Sequence, residues 1–501
     1  MPATTDLAIV LTNSGLLSTP FVSVFSIGFA AFVVHKLVSV RAEENKLGAI
    51  PTVGPRGFFG FYVGAFRYLF HAKAMVEHGY RTYPDGAFKI ATINGWVVFI
   101  NGKKMAEEMR KAPDDQLSFT HAVSETLQIE YTLGKDFDLH RSQVVRGGVT
   151  KNIANRFDDI RDEIMESLSD EIPVSDEWTK LAPMPAIRNV VTRAANRYYV
   201  GLPLCREPEW INVTMNFAVK VFLVVGRLVT PLPSAMKVII KYFEPMIKER
   251  LAKEEECGSK DWPDKPNDLL TWLLDEPPVG EQHTVYDLAS RALSVNLAAI
   301  HPTSLMLINT LHHLCVNPEV VKALRQEIEE TVNEFGWTKA AIDNMEKLDS
   351  FLKETQRLSG SNASGVSRKA VKDFVFSNGI VLPAGTMIAC PAYSLHHDEN
   401  NYKNPMDLDP FRFCKVKVES KGVTQQQMVT PHPDYVLFGI GRHACPGRYL
   451  AVSLLKGILS HILIAYDVKL EKDEGFPKPQ WFQDVCVPDM KAQVLFRRRQ
   501  D

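Results

Sequence analysis

Apolar and polar positions follow several different rhythms along this chain, and each predicts a different element. Residues 7–34 contain no formally charged side chain, and residues 15–40 are long enough to cross a hydrocarbon core as one helix. Asp6 stands where a cleaved leader would be basic, no small-residue cleavage site stands out, and Lys36 and Arg41 follow the run. These features predict a retained anchor, with the short N-terminus (1–14) across the membrane and the body of the protein in the cytosol. In a eukaryote the membrane is then that of the endoplasmic reticulum, crossed once. Pro51, Gly54, Pro55 and Gly57 punctuate a basic hinge over 41–59, and a catalytic domain is expected over 60–501. Residues 88–101 have a strand-like pattern around Asn94-Gly95, a strong hairpin signal. From Lys103 onward helical periodicity dominates. The apolar stretch 219–243 is broken by Pro231 and Pro233, which predicts two helices and a turn. It reads equally as a lid or membrane-facing surface and as ordinary core. Residues 252–267 read as an exposed loop, 285–315 as one long helix, and 448–459 as an apolar-faced helix. Asn378-Gly379 predicts a hairpin before Val381, and Pro383 to Gly385 a further turn. The sum is a mainly α fold with a small β region and no internal repeat.

Composition changes this picture only a little. A chain of 501 residues can bury a large core, in one big domain or more. Its formal net charge of −2 gives no electrostatic reason to expect a nucleic-acid partner. Seven cysteines are scattered without a C-x-x-C pair, which points to a reducing compartment with neither a disulfide framework nor a zinc site.

The chemistry concentrates at residues 438–447, Phe-Gly-Ile-Gly-Arg-His-Ala-Cys-Pro-Gly. Gly439, Gly441 and Gly447 allow tight turns and close approach to a flat ligand. Pro446 is suited to the first turn of the helix that follows, so Cys445 sits at a helix N-terminus. The positive end of that helix and nearby backbone N–H groups favour a thiolate. A free cysteine is more often a small buried hydrophobe; the spacing around this one argues otherwise. The stretch resembles the haem-binding loop of the cytochrome P450 family: Phe, two residues, Gly, three residues, Cys, one residue, Gly. Phe438, Gly441, Cys445 and Gly447 occupy every fixed place. The resemblance implies haem b with Cys445 as axial ligand to the iron, Phe438 packed near it, Gly439 and Gly441 in the cradle, and His443 reaching a propionate.

Two further stretches fit the same resemblance. Glu354 and Arg357 lie three apart on one helical face, and Arg412 in Asp-Pro-Phe-Arg resembles the arginine that completes the family's buried Glu-Arg-Arg cluster. Arg368 lies where family members place a propionate-binding arginine, and Arg146 is a second candidate for that role, against the reading of a solvated surface charge. The long helix carries Ala-Ala-Ile-His-Pro-Thr-Ser at its centre, similar in wording to fungal secondary-metabolism members. The family usually has an acid and a threonine here to deliver protons at the distal face. His301 and Pro302 occupy those places and Thr303 the next. Pro302 leaves the Ala298 carbonyl without its helical donor, and a water held there, Thr303 or His301 is the proton relay.

The resemblance therefore implies a monooxygenase of the microsomal type, acting on a lipophilic small molecule with terpenoid or steroid skeletons first. Its electrons come from an NADPH-cytochrome P450 reductase, since the chain has no nicotinamide fingerprint of its own. Arg442 and Arg448 are candidate docking charges. A haem-thiolate isomerase or dehydratase shares every motif and needs no reductase. A haem sensor and a catalytically silent membrane protein are the remaining alternatives.

Overall fold

The computed structural model describes residues 37–57, 59–133, 144–222, 232–276, 284–360, 362–414 and 427–500. The expected N-terminal segment and nearly all of the expected anchor lie outside these, as does the turn around Pro231.

Helices dominate, and the long one is central. In chain order those of seven residues or more among the described residues are α1 (Gly60–Thr82), α2 (Lys103–Lys111), α3 (Phe119–Leu127), α4 (Phe157–Glu171), α5 (Pro183–Tyr199), α6 (Pro208–Phe222), α7 (Leu232–Cys257), α8 (Leu269–Asp275), α9 (Val285–Cys315), α10 (Pro318–Phe335), α11 (Glu346–Ser359) and α12 (Arg448–Ala465). Helix α9 packs against α5, α6, α7, α11 and α12, and its apolar residues join the largest buried cluster. Both α9 and α12 are long and apolar enough to cross a membrane by composition; here each is a core helix, buried along most of its length.

The main sheet has strands β1 (Ala87–Thr92), β2 (Gly95–Ile100), β3 (Leu117–Ser118), β5 (Gly365–Ala370) and β8 (Met387–Cys390), in the order β1-β2-β8-β5-β3. Strands β4 (Thr179–Leu181), β9 (Tyr466–Leu470) and β12 (Val494–Arg498) form a second sheet. The pairs β6 (Phe374–Val375) with β7 (Val381–Leu382), and β10 (Gln480–Phe482) with β11 (Val485–Val487), form two hairpins. The Asn94-Gly95 signal closes β1 onto β2, with Thr92 opposite Gly95, so the turn itself is Ile93-Asn94. The Asn378-Gly379 signal lies between β6 and β7 as expected.

Two boundaries differ from the pattern reading. Residues 252–257 continue α7, and the chain leaves the helix only at Gly258, whose φ is +61°. Lysine and glutamate are good helix formers, so this polar stretch is an exposed helix end before it is a loop. The segment expected as a hinge is partly docked on the domain. Leu47, Ile50 and Val53 are buried, and Val53 N–H donates to the Lys89 carbonyl (2.9 Å) beside β1. The Lys89 ammonium in turn donates to the Leu47 carbonyl (2.6 Å).

Helix α1 is apolar on more than one side. Phe61, Ala65, Tyr68, Ala72 and Val76 are buried, and its backbone leaves helical geometry at His71 (φ −130°, ψ 19°).

Candidate active site

The loop before α12 is built by two left-handed glycines. Gly439 (φ +71°) and Gly441 (φ +65°) hold conformations that side chains resist, and a Cβ on Gly441 would stand 2.6 Å from the Arg110 side chain. Gly447 needs no such freedom; it caps α12 with φ −83°. The turn brings Cys445 N–H back to the Phe438 carbonyl (2.7 Å), and Phe438 is buried in the main core.

Burial pushes the Cys445 thiol up, while the backbone N–H groups of Gly447 and Arg448 and the Arg448 guanidinium pull it down. Those donors distinguish it from Cys205, Cys315, Cys390 and Cys486, each pushed up to about 12 by burial. They are what a thiolate ligand requires of its surroundings.

A cationic pocket lies beside this loop. Arg368 is buried on β5, and its single side-chain hydrogen bond among the described residues runs to the Ser367 carbonyl (2.8 Å). A guanidinium offers five N–H donors, so most of them are uncommitted. Burial pulls its pKa down to about 10. Phe119 lies between it and His443, its ring 5.4 Å from the guanidinium and 5.2 Å from the imidazole. His443 Nε2 pairs with Asp114 Oδ1 at 2.7 Å. A buried guanidinium with uncommitted donors among the described residues, beside a half-buried imidazole, fits an anionic substituent such as a propionate.

Arg146 is placed elsewhere. It is exposed and donates to the Arg442 carbonyl (2.7 Å), on the wall of a cleft of about 290 Å³ with Arg442, Pro446, Arg448 and Tyr449. The two arginines expected as docking charges are braces in part. Arg442 ties down the carbonyls of Lys111 and Ala112 at the end of α2, and Arg448 those of Val429 and Cys445.

Glu354 and Arg357 are fully buried and paired through two bonds of 2.8 and 2.9 Å. Arg412 adds a third at 3.0 Å. Arg357 also donates to the His396 and Pro405 carbonyls, both at 2.7 Å, and Arg412 to that of Lys403 (2.7 Å). The three residues therefore form one network that pins the segment 396–412 to α11.

At the middle of α9 the exposed residues are Ala298 and Pro302, one turn apart, with Ala299, His301, Leu305 and Met306 half-buried around them. The turns on either side are mainly buried, and the helix runs unbroken through Pro302. Thr303 is 2% exposed and makes no side-chain hydrogen bond among the described residues. Ser304 Oγ donates to the Ile300 carbonyl (2.8 Å). Burial, and then the charge of Arg188 on α5, lower the pKa of His301 and favour the neutral imidazole. Pattern reading misses Phe119, Asp114 and Arg110, because each comes from a distant stretch with no local signature.

A mainly helical fold with a glycine-turned cysteine loop, a buried arginine beside a half-buried histidine, and a long central helix fits a haem-thiolate protein. The chain belongs to the cytochrome P450 family: the pattern described as Cytochrome P450 matches residues 206–496. It is 38% identical to Cytochrome P450 monooxygenase 103 of Postia placenta, over 97% of this chain and 99% of that one. It is 33% identical to Cytochrome P450 monooxygenase CYP512U6 of Ganoderma lucidum (93% and 95%) and 31% to Cytochrome P450 monooxygenase paxQ of Penicillium paxilli (94% and 96%). Among solved structures, retinoic acid bound cyanobacterial CYP120A1 shares the fold with a TM-score of 0.69 and 16% identity, over 90% of this chain and 99% of that one. Membership makes the protein an oxidoreductase of the monooxygenase family and carries haem with a cysteine thiolate as its axial ligand.

Proposed function

We propose that the protein is a membrane-anchored monooxygenase that takes electrons from an NADPH-dependent flavoprotein reductase and oxidises a lipophilic small molecule, terpenoid or steroid-like skeletons first. The observation that carries the reading is Cys445, set against the N–H groups of Gly447 and Arg448 at the start of α12. Cys445 would ligate the iron, and Arg368 and His443 would hold a propionate. When bound, a thiolate-ligated haem supplies an oxidant able to attack unactivated C–H bonds.

The chain's own residues define the surroundings. At the centre of α9 the less buried side chains include Ala298, Pro302, Leu305 and Met306, apolar groups that would suit a lipophilic substrate. Pro302 offers no N–H to the Ala298 carbonyl, which is left to hold a water. That water, with the Thr303 hydroxyl next along the helix, is the proton route we favour. His301, whose charged form is disfavoured by burial and by Arg188, is the alternative relay.

Pro302 also favours a second reading, a haem-thiolate isomerase or dehydratase, because the usual hydroxyl is missing. The two separate in one experiment. The full chain is expressed with a flavoprotein reductase and given a terpenoid panel, with and without oxygen. Product that requires NADPH, reductase and oxygen is expected; product formed anaerobically without reductase transfers the assignment to the isomerase.

A further inference from the structure

The hairpin of β10 and β11 carries a carboxylate that meets no cation among the described residues, that of Asp484. Phe482 pairs with Val485, so Gln483 and Asp484 form the turn, and Gln483 N–H ties it to the Leu69 carbonyl of α1 (2.9 Å). On its other side the hairpin docks on the segment that follows α11. Ala363 N–H donates to the Asp484 carbonyl (2.8 Å), Cys486 N–H to Asn362 Oδ1 (3.1 Å), and the Ser364 hydroxyl to Asp484 Oδ2. A carboxylate offers about four acceptor positions, and the Ser364 hydroxyl is the one side chain among the described residues that fills any of them. The neighbourhood is otherwise apolar, with Tyr68, Ala363 and Trp481 in one hydrophobic cluster. Burial pushes the Asp484 carboxyl up, yet the residue stays partly open, so a ligand can reach it.

What lies at either end of the docked segment gives this carboxylate its meaning. Gln356, in the last turn of α11, donates to the Met306 carbonyl (2.9 Å), and Asn309 to that of Ser359 (3.2 Å). The segment therefore starts beside half-buried Met306 of α9 and runs through Ser364 to Arg368 on β5, the guanidinium assigned to a propionate. Ser364 and Asp484 thus lie along the stretch that joins the α9 side chains suited to a substrate to the residue suited to the haem. We infer that Asp484, steadied by Ser364, accepts a hydrogen bond from a hydroxyl group of the substrate, so that the protein acts on a lipophilic alcohol in preference to the parent hydrocarbon. A few fixed polar groups in an apolar wall are what orient such a ligand. An ammonium would suit a carboxylate in water, but burial disfavours the charge of Asp484, and a cation would itself lose its hydration on the way in. A neutral hydroxyl carries neither cost. The substrate then comes from a reaction that has already placed an oxygen on its skeleton.

This substrate class rests on the proposed function for where the substrate lies, and binding tests it apart from turnover, because binding needs neither reductase nor oxygen. The full haem-loaded chain is titrated with menthane, menthone and menthol, and with androstane, androstanone and androstanol, and dissociation constants are read from the shift of the haem absorption. Each alcohol should bind roughly tenfold or more tightly than its hydrocarbon, as expected for a hydrogen bond to a buried carboxylate. Asp484→Leu should abolish that preference by weakening the alcohols alone. Asp484→Asn, which keeps the shape and one acceptor oxygen, should reduce it to severalfold. Equal binding of alcohol and hydrocarbon, or no shift with either alcohol, overturns the inference. So does a ketone that binds as tightly as its alcohol, since Asp484 would then be a donor. Parallel losses for alcohol and hydrocarbon in Asp484→Leu would assign the residue to holding the hairpin and overturn it as well. Should Asp484→Leu fail to fold, the isosteric Asp484→Asn decides alone: a preference left at its full value overturns the assignment.

Discussion

Glu354 accepts from two guanidinium groups, and neither arginine has another carboxylate among its described partners. Glu354→Ala therefore removes the carboxylate that both guanidinium groups share, and removing one member of such a buried pair costs about 3–5 kcal/mol. Apoprotein or aggregate is expected on expression, against near-normal haem content for a surface pair, and the ratio of haem absorbance to protein decides it. Cys445→Ser should leave the pocket of Arg368 and His443 in place and abolish the thiolate-type absorption of the reduced carbon monoxide complex, because a serine hydroxyl is a poor donor to iron at neutral pH. Glu354 and Arg357 could be read as a pair because three residues on a helix share a face. Cys445 could be read because its glycines and proline are adjacent in sequence. Phe119 and Asp114 could not, since their meeting with His443 depends on where α3 falls against the loop. Arg146, read either as a propionate ligand or as a solvated surface charge, is exposed and donates to the Arg442 carbonyl, a contact between distant stretches that its charge alone could not indicate.

At the scale of elements, α9 is the one whose sequence departs furthest from its family, and its bounds were nonetheless legible. Pro302 did not end the helix, since tertiary packing on both sides outweighs one lost hydrogen bond. Pro302→Ala should restore an N–H to the Ala298 carbonyl and displace its water. Slower amide exchange around residue 302 is expected, with a several-fold drop in product formed per NADPH and a rise in peroxide. Thr303→Ala should uncouple in the same direction with the thiolate spectrum intact, and His301→Ala should do less because burial favours its neutral form whereas a hydroxyl donates and accepts at once. Uncoupling by His301→Ala alone would make the histidine the relay. The misread end of α7 has a simple origin: the Glu-rich stretch 254–256 is polar on every side, so periodicity gave no helical signal while intrinsic propensity did.

For the whole molecule, several histidines are held neutral by burial. The pKa of His312 is lowered to about 4, that of His313 to about 3 and that of His461 to about 4. Because the folded values lie below the unfolded value near 6.5, the unfolded chain binds more protons as pH falls. Stability is therefore full above about pH 6.5 and declines toward pH 4, by up to about 1.4 kcal/mol per pH unit for each such histidine. Urea midpoints at pH 7, 6 and 5 should fall progressively, and His312→Phe, which removes a fully buried ring whose two nitrogens are unsatisfied, should flatten the trend. Removal of residues 1–36 should release the protein from membranes with haem retained; a carbonate-resistant truncated chain would refute the anchor. Truncation to residue 57 has a different consequence. Strand β1 is last in its sheet, and residues 51–53 occupy its outer side through the Val53 and Lys89 bonds. Without them an unpaired strand edge bearing Phe88 and Ile90 becomes a template for a strand from another molecule. The docked segment is thus a guard against self-assembly, and its loss should appear as light scattering that grows with protein concentration while the haem spectrum is still normal.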